Sequence, residues 1–112
     1  MGQELHGDAL DALGDANRRA IVELLSRGRQ SVQQLADQLP ISRPAVSRHL
    51  RLLKEAGLVV DQAAGTRHIF QLREEGVEAI REYFAEVWGH AIARFRIVAE
   101  NTGAPSERDV ER

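Results

Sequence analysis

The stretch SRPAVSRHLRLLKEAGL, residues 42–58, groups positive charge in an unusual way. Its basic residues are Arg43, Arg48, Arg51 and Lys54, and Glu55 is its single acidic residue. The whole chain has 17 acidic and 15 basic residues, so this segment departs from the balance of the protein. Local charge, more than net charge, steers a polyanion to a surface. The stretch therefore predicts a negatively charged partner.

The same stretch has the pattern of an amphipathic helix. At about 100° per residue, one side is apolar and consists of Val46, Leu50 and Leu53, with His49 at its margin. The opposite side is polar and consists of Ser47, Arg48, Arg51 and Glu55, flanked by Arg43 and Lys54. Ser42 is a favourable N-cap, and Pro44 falls in the first turn, where its missing N–H has no helical partner to lose. We therefore predict a helix from Ser42 to Ala56 with one buried face and one basic face.

A shorter helix precedes this one. The order Ser-Val-Gln-Gln from Ser31 is that of a capping box, in which the Gln34 side chain reaches back to the Ser31 amide. The apolar residues of this helix recur at helical spacing and are Val32, Leu35, Ala36 and Leu39. Pro40 ends the helix, so only residues 40–43 separate it from the next. Two short helices joined this closely, the second one basic, are typical of a helix-turn-helix.

The N-terminal segment predicts two further helices. Leu10 and Leu13 begin a short one that Gly14 closes. Asp15 is a plausible N-cap for the next, which is predicted to stop at Gly28. Its apolar residues also follow helical spacing and are Ala20, Ile21, Leu24 and Leu25.

After Gly57 the apolar period becomes extended. The segments LVVDQ and RHIFQL predict two strands around a turn at AAGT, with Phe70 and Leu72 facing inward. A long helix from about Glu74 to Asn101 follows, with Gly103 and Pro105 as stop signals. The predicted fold is mainly α with a small β-hairpin: a winged helix-turn-helix with a long C-terminal dimerisation helix. We predict one DNA-binding and dimerisation domain at residues 1–104 and a frayed polar tail at residues 105–112.

Composition excludes several classes of protein. A chain of 112 residues that is 43% apolar and 29% charged has room for one modest core. It contains no cysteine, which rules out disulfides, thiolate metal sites and a cysteine nucleophile. No segment has the pattern of a signal peptide or of a membrane span, so we expect a cytoplasmic protein. Residues 40–72 hold five basic and two acidic residues, a local charge of +3 in a chain of net charge −2.

The basic helix has the width and the chemistry to read DNA. A helix fits the major groove of B-form DNA, where arginine bonds guanine and serine bonds a base or a phosphate. We predict binding to double-stranded DNA through Ser42, Arg43, Pro44, Ser47, Arg48, Arg51, Lys54 and Arg67. In this set, Ser47 and Arg48 are assigned to base contacts, and Arg51, Lys54 and Arg67 to phosphates. Two alternatives remain: a solvated charged face, and a winged helix that serves only as a protein-interaction module.

Three segments, DANRRAIVELL, SVQQLADQLPISRPAVSRHLRLLKEAGLV and GTRHIFQL, resemble ArsR-type winged-helix transcriptional repressors over residues 9–73. The resemblance is most specific in the order Ser-x-Pro-x-Val-Ser-x-His-Leu from Ser42, followed by Leu-Lys-x-Ala-Gly-Leu-Val from Leu53. It implies a homodimer in which the Ser42–Ala56 helix reads the major groove. The wing that carries Arg67 is then expected to touch the neighbouring minor groove or backbone. The resemblance also implies an effector that releases the DNA, of unknown identity here.

The chain departs from the metal-sensing members of that family. It has no cysteine for soft metals, and its last helix has only His90 where zinc sensors have a set of Asp, His and Glu. Glu82, Glu86 and His90 recur every four residues, which leaves a zinc-responsive repressor as an alternative. We predict no metal or other cofactor, and no response of DNA binding to zinc, cadmium or arsenite.

An enzymatic function is not expected from this sequence. Ser47 and His49 lie two residues apart on a helix and cannot face each other, so they do not form a catalytic pair. His49 is expected to be a hydrogen-bonded packing residue at the edge of the core. Gly57 and Gly65 are isolated glycines and do not make a phosphate-binding loop.

The last helix carries an apolar stripe that is too long for one small domain to cover. Its members are Val77, Ile80, Phe84, Val87, Trp88, Ala91, Phe95 and Val98. At 1.5 Å per residue the helix spans about 40 Å, whereas a domain of this size has a radius of gyration of about 13 Å. We therefore predict a dimer interface formed by Leu10, Leu13, Phe84, Val87, Trp88, Ala91 and Phe95. The alternative is that the whole stripe packs within one chain.

Overall fold

The computed structural model describes residues 8–102, which fall into two compact units. One unit extends to Ile80, and the other begins at Arg81. Among the described residues, the second unit consists only of the continuing last helix. The predicted tail at residues 105–112 and the stop signals Gly103 and Pro105 lie outside the described residues. The domain boundary at residue 104 therefore stays a prediction.

Two helices open the first unit: α1 at residues 8–12 and α2 at Ala16–Leu25. The predicted N-cap is confirmed, because the Asp15 carboxylate accepts hydrogen bonds from the amides of Asn17 (2.8 Å) and Arg18 (3.1 Å). The bond from the Arg18 amide is the main cause that lowers the pKa of Asp15 from its usual value. The helix ends before the predicted stop at Gly28, because Ser26 is its C-cap and donates its hydroxyl to the Glu23 carbonyl.

Helices α3 (Val32–Gln38) and α4 (Arg43–Glu55) form the predicted helix-turn-helix. The capping box of α3 is present in both directions: Gln34 Oε1 accepts from the Ser31 amide at 2.8 Å, and Ser31 Oγ accepts from the Gln34 amide at 3.2 Å. Leu39, the residue before Pro40, is extended, as the proline ring requires, and this ends α3 at Gln38. The N-cap of α4 is Ser42, as predicted.

The sheet has three antiparallel strands, one more than the sequence predicted. The predicted hairpin is present as β2 (Val59–Ala64) and β3 (Arg67–Leu72). Strand β1 (Gln30–Ser31) pairs with β3 on its other edge, which gives the order β1-β3-β2. Two residues are too short to show an alternating pattern, so only the pairing across the fold reveals this strand. Gly65 has a φ of +66° at the first position of the two-residue turn, as a type II′ turn requires.

The core lies between α2, α3, α4 and the sheet. Its most deeply buried side chains are Ile21, Leu35, Val46, Leu50, Leu53, Leu58 and Val59. The predicted inward pair Phe70 and Leu72 is partly buried and packs against these residues. In α3, only Leu35 of the predicted stripe is fully buried, and Val32, Ala36 and Leu39 cover the core from its margin. Each buried CH₂ group stabilises the folded state by about 0.8 kcal/mol, so this cluster makes the main contribution to the stability of the unit.

The last helix, α5, runs from Glu74 to Thr102 and confirms the predicted long helix. Its first turn carries Glu74 and Glu75, which favour the positive end of a helix dipole. In the first unit, Gly76 packs on the backbone of Gly57, Ala79 is buried and Ile80 covers the core. No helix in residues 8–102 combines the length and apolar character that crossing a membrane requires.

Candidate nucleic-acid interface

The exposed face of α4 is polar and basic. Ser47, Arg48 and Arg51 are exposed, whereas Val46, Leu50 and Leu53 on the other face are buried. Within the described residues, neither Arg48 nor Arg51 forms a hydrogen bond or an ion pair with another side chain. Both guanidinium groups are therefore available to an external acceptor, and no counterion pairs with them in the described part of the chain.

The start of α4 is fixed by contacts to its own first turn and to α3. Ser42 Oγ accepts a hydrogen bond from the Ala45 amide at 3.3 Å. The Arg43 guanidinium donates to Gln33 Oε1 at 3.2 Å, which links the first turns of the two helices. Pro44 is exposed beside these residues. Gln33 was not among the predicted site residues, because its contact to Arg43 depends on the angle between the helices.

The wing, which is the hairpin of β2 and β3, is hydrogen-bonded to the N-terminus of α3. Arg67, predicted to contact phosphate, donates from Nη2 to Ser31 Oγ at 3.0 Å and remains exposed. Thr66, Arg67 and His68 of the wing, the start of α3 and Arg43 together line an open cleft of about 540 Å³. Arg43 and Arg67 therefore border the same cleft.

Lys54, the other predicted phosphate ligand, is held by an acidic residue of the wing. Its Nζ lies 2.6 Å from Asp61 Oδ1, and His68 Nδ1 lies 2.8 Å from Asp61 Oδ2. The hydrogen bond from Lys54 is the main cause that lowers the pKa of Asp61, the bond from His68 adds to it, and partial burial opposes it. The sequence offered one indication of this contact: alternation puts Asp61 on the same strand face as the buried Val59.

His49 is a buried packing residue, as predicted. Its ring is 7% exposed, and Nδ1 lies 3.4 Å from Arg18 Nη1. Arginine only donates hydrogen bonds, so Nδ1 is the acceptor in this contact. Arg18 also donates from Nε to the Ala12 carbonyl at 2.6 Å. The exposed Ser47 lies on the opposite face of α4, so these two residues do not form a catalytic pair.

The residues proposed for zinc in the alternative model are dispersed on the surface. Glu82, Glu86 and His90 are all exposed. Within residues 8–102, no three His, Cys, Asp or Glu side chains come together in a way that would hold a metal ion.

Most of the residues predicted for the dimer interface are exposed apolar side chains of α5. In the second unit, exposure is 42% for Phe84, 56% for Trp88 and 72% for Phe95, and Val87 is also exposed. Ala91 is half-buried. The role of these exposed side chains in a dimer stays a prediction. Ile92 and Ile97 are exposed as well and were not in the predicted stripe.

The N-terminal residues of the predicted interface are in a different environment. Leu10 and Leu13 are half-buried, and Leu13 packs against the core of its own unit. Leu13 therefore has an intramolecular role whether or not it also contacts a partner.

Known regulatory proteins resemble this chain in sequence. The model of the family described as "Bacterial regulatory protein, arsR family" matches residues 15–61. The HTH-type transcriptional regulator Rv2034 of Mycobacterium tuberculosis is 45% identical over 95 residues, which cover 85% of this chain and 89% of that protein. The chain belongs to the arsR family. The arsR-family chain is therefore a winged helix-turn-helix protein that binds DNA and regulates transcription.

Solved structures agree with the fold of this arsR-family protein. A crystal structure of a possible transcriptional regulator for arsenical resistance superimposes with a TM-score of 0.67 at 36% identity, covering 78% of this chain and 95% of that one. The homodimeric winged helix-turn-helix DNA-binding domain Mb0332 of Mycobacterium bovis gives a TM-score of 0.63 at 27% identity, covering 80% of each chain. These similarities confirm the predicted fold class.

Proposed function

We propose that this arsR-family protein is a homodimeric repressor that binds a palindromic DNA operator through α4. The observation that carries the proposal is the exposed pair Arg48 and Arg51, which have no partner among residues 8–102, on a helix whose other face is fixed in the core. A rigid helix with free guanidinium groups is suited to donate to guanine in the major groove. Because such a regulator acts on the chromosome, we also propose a cytoplasmic location.

The base and phosphate contacts follow from position along α4 and in the wing. Ser47 and Arg48 lie near the N-terminal end of the exposed face, which in helix-turn-helix proteins points into the groove, so we assign them to bases. Arg51, further along the helix, is assigned to phosphate, together with Arg43 and Arg67 on the walls of the cleft. Lys54 contributes to phosphate binding while it is held by Asp61.

The homodimer is proposed from the exposed apolar face of α5. Phe84, Trp88 and Phe95 recur at helical spacing, and each exposes at least 42% of its surface in the protomer. An exposed apolar strip of this kind marks an interaction surface. A second copy is the occupant we propose, because the similar Mb0332 domain is described as homodimeric. A two-fold dimer places two α4 helices in successive major grooves about 34 Å apart, which requires a palindromic operator.

The proposal is tested by selection of bound duplexes from a random pool, followed by binding measurements at two salt concentrations. We expect the pool to converge on an imperfect palindrome with half-sites about one helical turn apart. Affinity is expected to fall steeply between about 50 mM and 200 mM salt, because phosphate contacts release counterions. A pool that remains random, with no salt-dependent binding, would instead support the protein-interaction module.

A further inference from the structure

Asp61, on strand β2 of the wing, bonds one basic group on α4 and another on the neighbouring strand β3. Its carboxylate lies 2.6 Å from Lys54 Nζ, at the end of α4, and 2.8 Å from His68 Nδ1, on β3. The Asp61 side chain is only 16% exposed, whereas those of Lys54 and His68 are 56% and 60% exposed. One carboxylate therefore anchors two exposed basic groups on adjoining elements of the proposed DNA-binding surface.

We propose that Asp61, Lys54 and His68 form a proton-sensitive clamp, in which protonation of His68 strengthens its bond to Asp61, weakens the hold of Asp61 on Lys54 and strengthens binding to DNA. Histidine is the side chain whose charge ordinarily changes between about pH 5 and pH 8. A charged imidazole bonds a carboxylate more strongly than a neutral one does. It also shares the Asp61 charge with Lys54, which leaves the ammonium freer to bind phosphate.

The charged groups around His68 give the direction of the effect. Asp61 on β2 bonds the ring, and Lys54 on α4 bonds the other oxygen of the same carboxylate. Across and beside the cleft, Arg43 of α4 and Arg67 of β3 add positive charge. DNA phosphates would neutralise these arginines and favour the charged ring. Binding is therefore coupled to proton uptake, and affinity is expected to rise as the pH falls.

The test measures the dissociation constant for the selected operator at about pH 6, 7 and 8, at constant ionic strength. For the wild-type protein we expect roughly fivefold tighter binding at the lowest pH than at the highest. His68→Gln and Asp61→Asn should each remove most of this dependence, and the double variant should resemble either single variant. Lys54→Gln should weaken binding at every pH and reduce the dependence.

Matched controls change the same residue types elsewhere. His90→Gln replaces an exposed histidine of α5, and Glu23→Gln removes an exposed carboxylate of α2. Both should keep the pH dependence of the wild type. Circular dichroism of each variant establishes that its helix content is native, and His68→Gln changes an exposed side chain that the core does not need.

The inference rests on the proposed function, but the two can fail separately. A wild-type protein whose affinity does not change with pH, or a pH dependence that persists in His68→Gln, would overturn the clamp even if an operator is selected. A full dependence in Asp61→Asn would also overturn it, since His68 would then act without its anchor. If no operator is selected, the same measurements on a random-sequence duplex still test the clamp, because phosphate contacts do not depend on sequence.

Discussion

The Arg67 guanidinium donates a hydrogen bond to Ser31 Oγ over 3.0 Å and thereby joins the wing to the N-cap of α3. Ser31 is 3% exposed and also accepts from the Gln34 amide, so one hydroxyl stabilises both the start of the helix and the position of the wing. Arg67 has more donors than this contact uses. It can therefore hold the wing and bind a phosphate at the same time.

Variants at these two positions separate the two roles of Arg67. Arg67→Ala should weaken binding to all DNA sequences alike and lower the slope of log K against log salt by about one, because one phosphate contact is lost. Ser31→Ala retains the Arg67 guanidinium, so the salt slope of this variant should equal that of the wild type. Ser31→Ala should instead lower the free energy of unfolding by about 1 to 2 kcal/mol through the lost cap. Equal salt slopes in wild type and Arg67→Ala would refute the phosphate contact.

Arg48 is expected to determine base preference. Arg48→Ala should cost about 1 to 3 kcal/mol per half-site and relax the preference at one operator position, because a bidentate contact to guanine is lost. Selection from a random pool with the variant measures both effects. Arg96→Ala on α5, which removes the same charge from another exposed site, is the control and should keep the wild-type preference. An unchanged selected sequence and affinity for Arg48→Ala would remove this residue from base reading.

Gly76 is required where α5 begins. A Cβ there would overlap the Gly57 carbonyl oxygen and approach Leu58 Cα to 3.2 Å, and both contacts are with backbone that has little room to move. Gly76→Ala should therefore lower the free energy of unfolding by about 2 kcal/mol or more in urea denaturation. Gly89→Ala is the control, because nothing lies within 4 Å of its added methyl group. It should be neutral or stabilising by up to about 1 kcal/mol, since alanine favours a helix.

Two separate substitutions, each adding one charge on a different side of α5, test the proposed interface. Phe95 is 72% exposed and Ile97 57% exposed in the protomer, so neither substitution should disturb its folding. Phe95→Glu should weaken the dimer by roughly 2 to 4 kcal/mol, more than tenfold in affinity, because it buries a charge in the apolar contact. Ile97 points about 160° away from Phe95 around the helix axis, so Ile97→Glu should leave the dimer intact. Sedimentation at micromolar concentration measures both, and a monomeric wild type would disprove the interface.

The lowered pKa of Asp61 also predicts how stability depends on acid. The pKa of this carboxyl group is lower in the folded state than in the unfolded state, where it is about 3.9. The ionised group therefore stabilises the fold at a pH above the unfolded-state pKa. This contribution is lost as the pH falls through the folded-state pKa. Asp61→Asn should therefore be less stable than wild type near pH 6, and the difference should shrink below about pH 4. Urea denaturation across this range measures it. A difference that does not change with pH would mean that the ion pair with Lys54 contributes nothing.

The sequence by itself determined the local structure. The N-caps at Asp15, Ser31 and Ser42 were predicted correctly because a cap bonds to amides only two or three residues away. The buried and exposed faces of α4 were also predictable, since a helix repeats at a fixed angle. The basic face and its neighbouring helix were sufficient to indicate DNA.

Only the tertiary structure decided the contacts between elements. Strand β1, the bond from Arg67 to Ser31 and the clamp at Asp61 join residues whose distance depends on how strands and helices pack. The same holds for Gly76, because only the close packing of α5 on the Gly57 backbone shows that a side chain would not fit at this position. Local bonding follows from chain spacing, whereas these contacts follow from the burial of a shared core, which brings distant residues together at angles that no local pattern specifies.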